Sequence, residues 1–305
     1  MAGYVIYNGF WNAVPPDPAQ RMVEAAAKHG VSLTVMPNTA LLMSVQPLSV
    51  CCADGTELSA EDFVLFWDKD TRLAKVLESI GVRVYNTARS VEICDDKSET
   101  HRLLAAAGIP QPETVLAPMT YTEITASVEP FLEAAAKKLG LPLVVKECYG
   151  SFGDQVSLVY SMEELRKLAY AMESRPFLLQ RFVKEAAGED VRLYVVGDRV
   201  AAAMRRRSNG DFRANLRQGG TAQPYEPTAA EIELALRCCR VLGLCFGGVD
   251  LLHTENGDVL VCEVNSNAHL AGIIACTGVD VADEIVSFVL RNEALVAEKG
   301  TKVNG

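Results

Sequence analysis

The sequence predicts an α/β chain built in three parts, and three patterns support that prediction. Strand-like and helix-like segments alternate over residues 1–95, a mixed segment follows, and long hairpins dominate after residue 184. Strands that alternate with helices form a parallel, doubly wound sheet, whereas consecutive hairpins form an antiparallel sheet. We therefore expect a doubly wound domain at residues 1–95, a central α+β domain at 96–183 and an antiparallel-sheet α+β domain at 184–305.

The N-terminal part alternates regularly between the two kinds of element. One helix is expected over residues 18–29, ended by Gly30, and another over residues 71–80. Strands are expected at "GYVIYNGF", "VSLTVMP", "DFVLFWD" and "VRVYN". No G-x-G-x-x-G motif follows the first strand, so the sequence predicts a structural or substrate-binding unit instead of a dinucleotide site.

The central and C-terminal parts combine helices with paired strands. Asp95 or Asp96 is placed to cap a helix that runs to Gly108. Further helices are expected at "EPFLEAAAKKLG", "SMEELRKLAYAME" and residues 228–242. Strands are expected at "PLVVKE", "VSLVY" and "FLLQRFV", and hairpins at "VRLYVVGDRVAAAMRRR" and "GGVDLLHTENGDVLVCEVNSN". The last part is therefore expected to be mostly antiparallel sheet, with one helix between its hairpins.

The composition is that of a globular protein with an acidic balance. The 305 residues are 49% hydrophobic and 22% charged, and 39 acidic against 29 basic residues give a net charge of −10. Non-specific binding to nucleic acid depends on neutralising phosphates, so an acidic chain is a poor candidate for it. Small anionic ligands need only a local basic pocket and remain compatible with this charge.

Cysteine usage and the absence of apolar runs bear on location. Nine cysteines, none in a C-x-x-C spacing, are typical of reduced thiols and not of a disulfide framework. The start of the chain lacks the basic and apolar regions of a signal peptide. No segment approaches the ~20 apolar residues that a membrane helix needs. The sequence predicts a soluble cytoplasmic protein without membrane partners, and leaves open whether it forms a homo-oligomer.

Two carboxylates are expected to face each other in the last hairpin. The "ENGD" segment predicts a two-residue turn, which sets Asp250 opposite Glu263. Asn265 shares their face because side chains alternate along a strand. Opposed like charges destabilise a sheet unless something compensates, and Mg²⁺ prefers oxygen ligands of this kind. A metal site is favoured over two solvated carboxylates, because Leu252 and Val261 are expected on the same face.

Basic residues and a glycine-rich loop are candidates for binding phosphates. Lys146 ends an apolar strand directly before a loop that contains Gly150, Ser151 and Gly153. Backbone N–H groups of such a loop can bind anions, although a glycine-rich turn between strands is usually only a turn. Lys97 is open to two interpretations, as a phosphate ligand or as a solvated lysine near a helix N-terminus, where the dipole disfavours a cation.

An arginine cluster stands out in this acidic chain. Five arginines fall within 13 residues: Arg205, Arg206, Arg207, Arg213 and Arg217. Arginine binds carboxylates and phosphates through paired hydrogen bonds, and its charge does not titrate. A solvated hairpin tip or a nucleic-acid patch would also carry arginines, but Phe212 is the one interleaved aromatic residue. Asn215 and the Gly219-Gly220 pair favour a shaped anion pocket.

Together these segments resemble the ATP-grasp ligases, and in particular their RimK-like branch, the α-L-glutamate ligases. The resemblance rests on segments that occur in the family's order between residues 95 and 275: "DKSETHRLLAAAGIPQPET", "VVKECYGSFGDQV", "LLQRFVKEAAGEDVRLYVVGD", "GDFRANLRQGG" and "GVDLLHTENGDVLVCEVNSNAHLAGI". Each segment is weak alone, and they are specific in combination. The resemblance implies an ATP-grasp fold, with an N-terminal pre-grasp domain, a central lid-bearing domain and a C-terminal domain that holds the metal.

The resemblance also implies where ATP binds. Lys97 and Lys146 match the two lysines that reach the phosphates, Asp190 matches an acidic residue near the ribose, and Arg213 with Asn215 matches a pair at the phosphates and metal. Ser151 belongs to the loop that would close over the phosphates. The backbone of a linker would hold the adenine: Gln180, Arg181, Phe182 and Val183. Arg181 departs from the glutamate usual in the family, so any side-chain contact there is in doubt.

The remaining implied roles concern the metal and the reaction. Asp250, Glu263 and Asn265 match the ligands of Mg²⁺ or Mn²⁺, the same three residues that the hairpin register selects. Arg206 matches the partner of an acyl phosphate. "SNAHL" replaces the Ser-Ser-Pro-Gly frequent in glutamate ligases, so the acceptor near His269 is expected to differ.

The expected function is that of an ATP-dependent carboxylate–amine ligase that forms an amide through an acyl phosphate. Its substrates would be ATP, a carboxylate and an amine, such as glutamate or a similar amino acid. Arg206 and Arg213 would stabilise the developing oxyanion. Two alternatives remain open: a nucleotide-binding protein without turnover, and a ligase that modifies a peptide or protein terminus. The sequence does not name the carboxylate or the amine.

Overall fold

Each part of the chain builds a sheet of its own. The computed structural model describes residues 2–10, 14–151, 153–214 and 219–303, with side chains up to residue 297. Within these residues three larger sheets lie in the three expected ranges, and a two-stranded hairpin accompanies the first. The limits of the domains themselves, at residues 95 and 183, stay predictions.

The N-terminal sheet is parallel and is covered by helices on both faces, as predicted. Its elements are β1 (Gly3–Tyr7), α1 (Asp17–Lys28), β2 (Leu33–Pro37), β3 (Leu41–Val45), β4 (Leu48–Cys52), β5 (Phe63–Trp67), α2 (Thr71–Ser79), β6 (Arg83–Tyr85) and α3 (Ala88–Asp95). The sheet order is β2-β1-β5-β6. Val5 packs with α1, whereas Ile6 packs with α2 on the other face. The β3–β4 hairpin was not predicted, because the burial of its residues does not alternate.

The central sheet is antiparallel, with helices in contact with both of its faces. Its segment contains α4 (Lys97–Ala106), β7 (Thr114–Leu116), α5 (Glu129–Leu139), β8 (Leu143–Glu147), β9 (Val156–Val159), α6 (Met162–Ala171) and β10 (Phe177–Arg181). The strands pair in the order β7-β10-β8-β9. Leu143, Val145 and Leu179 pack against α5 and α6. The alternate residues Lys146 and Gln180 therefore lie on the opposite face, which α4 contacts.

The C-terminal sheet is antiparallel and lies between two layers of helices. Its elements are β11 (Glu189–Val196), β12 (Arg199–Arg207), β13 (Thr221–Pro224), α7 (Ala229–Leu242), β14 (Phe246–His253), β15 (Val259–Asn265), α8 (Leu270–Thr277) and α9 (Val281–Val303). The strand order is β13-β12-β11-β14-β15. Val191 and Leu193 pack with α7, whereas Tyr194 packs with α8 and α9 on the other face. Over the described parts of the chain, no helix combines the length and apolar character that a membrane crossing requires.

The N-terminal and C-terminal sheets share one hydrophobic core. Phe63 and Leu65 of β5 belong to the same buried cluster as Tyr194 and Phe246. The fully buried Asn86 adds polar contacts between the two parts. Its Nδ2 donates to the carbonyls of residues 246 and 266, at 2.8 and 3.1 Å, and its Oδ1 accepts from the N–H groups of residues 245 and 246. One amide side chain thus satisfies backbone groups at the start of β14 and just after β15.

An ion pair ties the last helix to the N-terminal sheet. Glu293 of α9 is 3% exposed, and the single N–H of Arg83 Nε donates a bifurcated hydrogen bond to its two oxygens, with N···O distances of 2.9 and 2.8 Å. Tyr85 donates its hydroxyl to the same carboxylate at 2.8 Å. Burial first, and then this hydrogen bond, raise the pKa of Tyr85. The three side chains join residues that lie more than 200 positions apart.

Candidate active site

Asp250 and Glu263 face each other across β14 and β15, as the sequence predicted. Asn265 lies opposite Gly248, two residues beyond Glu263 on the same strand. Asp250 is 3% exposed, whereas Glu263 and Asn265 are half-buried at the open end of the hairpin. The structure therefore brings the three expected metal ligands together.

The turn of this hairpin is longer than predicted. The Thr254 N–H donates to the Asp258 carbonyl at 3.0 Å, so three residues form the loop, and Gly257 adopts a φ of 83° there. The additional loop residue shifts the register by one, and a β-bulge at Cys262 shifts it back before residue 263. Val261 packs in the core on the opposite face, so the prediction that it shares the face of the carboxylates was wrong.

Two arginines, the buried Arg206 and the half-buried Arg192, neutralise Asp250. Arg192 Nε and Nη2 each donate to one Asp250 oxygen at 2.7 Å. Arg206 donates to both oxygens of Asp190 at 2.6 Å and to Asp250 at 2.7 Å. Two carboxylates and two guanidinium groups thus form a neutral cluster on the face of the sheet that carries the metal site. Arg192 was not identified from the sequence, although the register sets it directly opposite Asp250.

The two carboxylates of this cluster differ in their pKa. Burial raises the pKa of Asp250, but the charges of Arg192 and Arg206 outweigh it and lower that pKa to about 2. Burial raises the pKa of Asp190, and the charge of Asp250 raises it further, whereas Arg206 and Arg192 oppose both effects. Asp250 therefore keeps its negative charge, as a metal ligand must.

The donor set suits a hard divalent cation. Asp250 and Glu263 supply carboxylate oxygens, and Mg²⁺ completes its shell with water and substrate phosphates. The buried Nδ2 of Asn265 has no hydrogen-bond partner. No protein acceptor fixes this amide, so it is able to turn and present its oxygen. Where the chain is described, no group of three or more His, Cys, Asp or Glu is arranged to hold a metal, so the expected set relies on one amide and two carboxylates.

Three lysines gather near these carboxylates. Lys97 and Lys146 are 9% and 6% exposed, so the interpretation of Lys97 as a solvated residue was wrong. Burial lowers the pKa of Lys97, the charges of Lys146 and Lys69 lower it further, and Glu263 opposes them. Lys69 follows β5 and donates to Ser151 at 3.1 Å and to Asp95. Lys69 was not identified from the sequence, because it lies in the N-terminal part, for which a structural or substrate-binding unit was predicted.

The glycine-rich loop is held by two of the predicted residues. Lys97 Nζ donates to the Gly150 carbonyl at 3.0 Å, and Arg213 Nη1 donates to the Gly153 carbonyl at 2.5 Å. Gly150 has a φ of 131°, and a Cβ there would lie 2.3 Å from Gln155 Oε1. Only glycine fits this position.

The expected adenine linker follows β10. Gln180 is 3% exposed and lies on the Lys146 face. Arg181 points to solvent, where it pairs with Glu113, so its departure from the family's glutamate has a structural role. The rings of Phe182 and Phe212 meet edge to face at 6.2 Å, and Val183 begins a short 3-10 turn.

The other predicted arginines differ in their surroundings. Arg206 is buried, whereas Arg205 lies over the Tyr225 ring at 4.9 Å and the exposed Arg207 pairs with Glu189. Arg206 therefore lies on the opposite face of β12 from Arg205 and Arg207. Arg213 pairs with Asp211, so its guanidinium is engaged by the protein, and both oxygens of Asp190 are engaged by Arg206. Asn215 and Arg217 lie outside the described residues.

A second polar group lies where the N-terminal sheet meets the C-terminal part. Asp68 follows β5, is 4% exposed and accepts from Asn8 at 3.1 Å through Oδ1, while its Oδ2 has no hydrogen-bond partner. Burial raises the pKa of Asp68. Asn267 Nδ2 donates to the Asp68 carbonyl at 3.0 Å, and its Oδ1 also lacks a partner. These acceptors lie beyond the carboxyl ends of parallel strands, where open α/β sheets bind ligands.

The arrangement of the three sheets defines the class of protein, an ATP-dependent ligase fold of the grasp type. It is shared with a RimK domain protein ATP-grasp from Sphaerobacter thermophilus DSM 20745, at a TM-score of 0.72 and 23% identity, over 94% of this chain and 99% of that one. The D-alanine–D-alanine ligase of Bacillus anthracis complexed with ATP has a TM-score of 0.67 at 17% identity, over 98% of this chain and all of that one.

The chain belongs to the RimK-like ATP-grasp family, whose domain model matches residues 94–289. A probable alpha-L-glutamate ligase of Trichodesmium erythraeum (strain IMS101) is 37% identical over 225 residues, which are 73% of this chain and 72% of the relative. Another, from Thioalkalivibrio sulfidiphilus (strain HL-EbGR7), is 33% identical over 287 residues, 90% of this chain and 91% of the relative. The family confirms the expected class, an ATP-dependent carboxylate–amine ligase.

Proposed function

We propose that the protein joins a carboxylate to an amine through an acyl phosphate, with ATP as phosphoryl donor and with glutamate or a similar amino acid as the amine. One observation carries the proposal: Asp250 and Glu263 are opposed across a hairpin that faces buried lysines. An acidic pair beside a basic cluster is the arrangement that a metal–triphosphate complex needs. The names of the relatives support glutamate as the amine.

The basic residues would bind and orient the triphosphate. Lys97 and Lys146 neutralise phosphate charge from a buried face, and Lys97 also holds the glycine-rich loop through the Gly150 carbonyl. Asp250, Glu263 and Asn265 would hold Mg²⁺ or Mn²⁺, which supplies charge neutralisation to the phosphates when bound. The substrate carboxylate attacks the γ-phosphorus in line, and ADP leaves. At this step the protein acts mainly by positioning.

Arg206 is suited to the second step. The amine attacks the acyl carbon, an oxyanion develops, and inorganic phosphate leaves as the amide forms. Arg206 is fixed by Asp190 and shares one guanidinium nitrogen with Asp250. A bidentate anchor of this kind holds a donor in place without reorganisation during the reaction. Arg213, held by Asp211, would support the same region through the loop that contains Gly153.

The amine substrate has a candidate subsite. Asp68 Oδ2 and Asn267 Oδ1 are buried hydrogen-bond acceptors to which no protein group donates. An ammonium group offers three N–H donors and no acceptor, so it would match this pair.

A peptide is the second candidate for the carboxylate substrate. The fold neighbour PsnB is an ATP-grasp ligase solved with a precursor peptide.

Phosphate release tests the proposal. The protein is assayed with Mg·ATP, L-glutamate and a panel of carboxylates and short peptides, and we expect phosphate only when amine and carboxylate are both present. Arg206→Lys should keep nucleotide affinity and lose most turnover, whereas the matched Arg205→Lys, on the opposite face, should keep both. ATP binding without coupled turnover across the panel would leave the nucleotide-binding alternative standing.

Lys146→Ala separates binding from chemistry. It should weaken Mg·ATP binding without unfolding the protein, because Lys146 lies on the face that is not packed against α5 and α6. Isothermal titration with a non-hydrolysable ATP analogue measures the change, and unaltered affinity would remove Lys146 from the site.

A further inference from the structure

A buried hydrogen-bond chain on the Lys146 face of the central sheet determines how one side chain points. His101 projects from α4 and is 4% exposed, and Gln180 of β10 is 3% exposed. His101 Nδ1 lies 2.5 Å from Gln111 Oε1, and His101 Nε2 lies 3.3 Å from Gln180 Nε2. The ring nitrogen that carries the proton therefore decides which end of the Gln180 amide faces His101.

A backbone carbonyl sets the tautomer of His101. Gln111 Nε2 donates to the His101 carbonyl at 2.8 Å, and a carbonyl oxygen only accepts, so Gln111 Oε1 must face the ring. That acceptor requires the proton on Nδ1 and leaves Nε2 as an acceptor in a neutral ring. Burial, and next the charge of Lys146, lower the pKa of His101 to about 4, so the ring is neutral near pH 7.

Two acceptors then hold the Gln180 amide. Its Nε2 donates to His101 Nε2 at 3.3 Å and to Thr114 Oγ1 at 2.9 Å. Thr114 donates its single hydroxyl proton to the Pro112 carbonyl at 2.8 Å, so toward Gln180 it only accepts. Both amide protons of Gln180 are directed to these two acceptors, and among the described residues no group donates to its Oε1, which is left to accept a hydrogen bond from a ligand.

We propose that His101 is a positioning residue for nucleobase selection, which holds Gln180 Oε1 as the acceptor for the 6-amino group of ATP. The inference rests on the proposed function and on the expected adenine linker at residues 180–183. A base with a 6-oxo group, as in ITP or GTP, would place its O6 against Gln180 Oε1, so that two hydrogen-bond acceptors would meet without a proton between them. Gln180 shares its face with Lys146, so base and phosphate contacts lie on one side of the sheet.

Nucleotide titrations test this selection. Isothermal titration of Mg·ATP and Mg·ITP, without carboxylate or amine, should give wild type a preference for ATP of about 10- to 100-fold, the effect of one hydrogen bond against an unpaired acceptor. His101→Phe removes the ring acceptor and leaves Thr114 as the one acceptor that still holds the Gln180 amide, so the preference should fall by about threefold or more. Gln111→Leu keeps the imidazole but frees its proton to move to Nε2, and should lower the preference as well.

A neighbouring variant controls for lost stability. Thr100, on the same helix, is 3% exposed and donates to the Ile93 carbonyl at 2.7 Å, away from Gln180. Thr100→Val should lower the melting temperature and keep the ATP preference. Unchanged preference in both His101→Phe and Gln111→Leu, or equal affinity of wild type for ITP and ATP, overturns the inference. A wild-type protein that binds neither nucleotide overturns the proposed function itself, whereas a lack of ligase turnover leaves this binding test intact.

Discussion

Among single residues, Asp250 has two roles: it pairs with arginines, and it is an expected metal ligand. It is paired with Arg192 and Arg206 without metal, and it is the expected ligand when metal is bound. A cation at this site must compete with guanidinium groups for the same oxygens. The cluster therefore compensates the buried charge of Asp250 in the metal-free protein, and it would lower the affinity of the expected site for a metal.

Removing Arg192 should expose this competition. Arg192→Ala leaves Asp250 with one partner, so we expect the free energy of unfolding to fall by about 3 kcal/mol without metal. The melting temperature should then rise more on addition of Mg²⁺ and an ATP analogue than it does in wild type, because the cation replaces the lost charge. Arg205→Ala, on the opposite face, serves as the control. An equal or smaller rise in Arg192→Ala would contradict a shared role of Asp250.

Asp68 differs from Asp250, because its negative charge should destabilise the folded protein. Its folded-state pKa is raised, so the folded protein binds this proton more tightly and loses stability as pH rises above about 4. Asp68→Asn should therefore stabilise the ligand-free protein at pH 7, and raise the KM for the amine if the subsite is correct. Urea unfolding and amine titrations measure the two effects.

Asp62, buried at the other end of β5, is the matched control for that prediction. It accepts hydrogen bonds from Ala2 and Ser59, so Asp62→Asn should cost stability and leave the KM for the amine unchanged. Destabilisation by Asp68→Asn would show that Oδ2 of Asp68 has a partner in the folded protein.

Single residues were predictable where a local pattern marks them. Lys146 ends an apolar strand beside glycines, and Asp250 with Glu263 flanks a turn signal. Arg192, Lys69 and Asp68 carry no such mark, because their partners lie far away along the chain and only the fold brings them together.

At the scale of elements, the prediction for the β14–β15 hairpin had the right residue pair but the wrong turn length. The predicted two-residue turn gave the Asp250–Glu263 opposition, and the real loop alone would have placed Cys262 opposite Asp250. The bulge at Cys262 restores the pair. Bulges depend on cross-strand packing and leave no periodic signal, so their compensation could not be read from the sequence.

Glu263→Gln should separate binding from stability in this hairpin. Because Arg192 and Arg206 already neutralise Asp250, loss of the Glu263 charge should change the free energy of unfolding by no more than about 1 kcal/mol. The rise in melting temperature on Mg·ATP addition and the rate of phosphate release should both fall strongly. Asp258→Asn, exposed at the turn of the same hairpin, should change neither. A full Mg·ATP response in Glu263→Gln would sink the metal assignment.

Helix α4 buries a histidine, and this should make stability depend on pH. The pKa of His101 is about 4 in the folded protein and about 6.5 when unfolded, so stability is lost as pH falls from 6.5 toward 4. The loss attributable to His101 should reach about 3 kcal/mol. Urea unfolding from pH 4 to 7 measures it, and His101→Phe should show a shallower decline. Parallel pH profiles for the two proteins would mean that the ring becomes charged without cost.

At the scale of the whole molecule, the fold class and the order of the three sheets were predictable, because they follow from alternation and from hairpin signals along the chain. The contacts between the first and last parts were not. Arg83 and Glu293 lie 210 positions apart, and neither has a local sequence signal. The β3–β4 hairpin was missed for a related reason, since its residues pack without regular alternation.

The Arg83–Glu293 pair should contribute to global stability. Glu293→Gln leaves Arg83 without its counter-charge and should cost about 3 kcal/mol of unfolding free energy, because the carboxylate is 3% exposed. Glu284 lies on the same helix and pairs with Arg199 at the surface, so Glu284→Gln should cost less than about 1 kcal/mol. Guanidinium unfolding compares the two variants, and equal costs would show that burial of the pair does not matter.

The position of Asn86 has a consequence for modularity. The family match begins at residue 94, yet the Asn86 side chain satisfies backbone groups at residues 245, 246 and 266, inside the matched region. A fragment excised at residue 94 would leave those groups unsatisfied and would expose the apolar face around Tyr194 and Phe246. The region that the family model matches is therefore smaller than the unit that packs together, and a chimera with a relative's N-terminal segment must bring an equivalent of Asn86 with it.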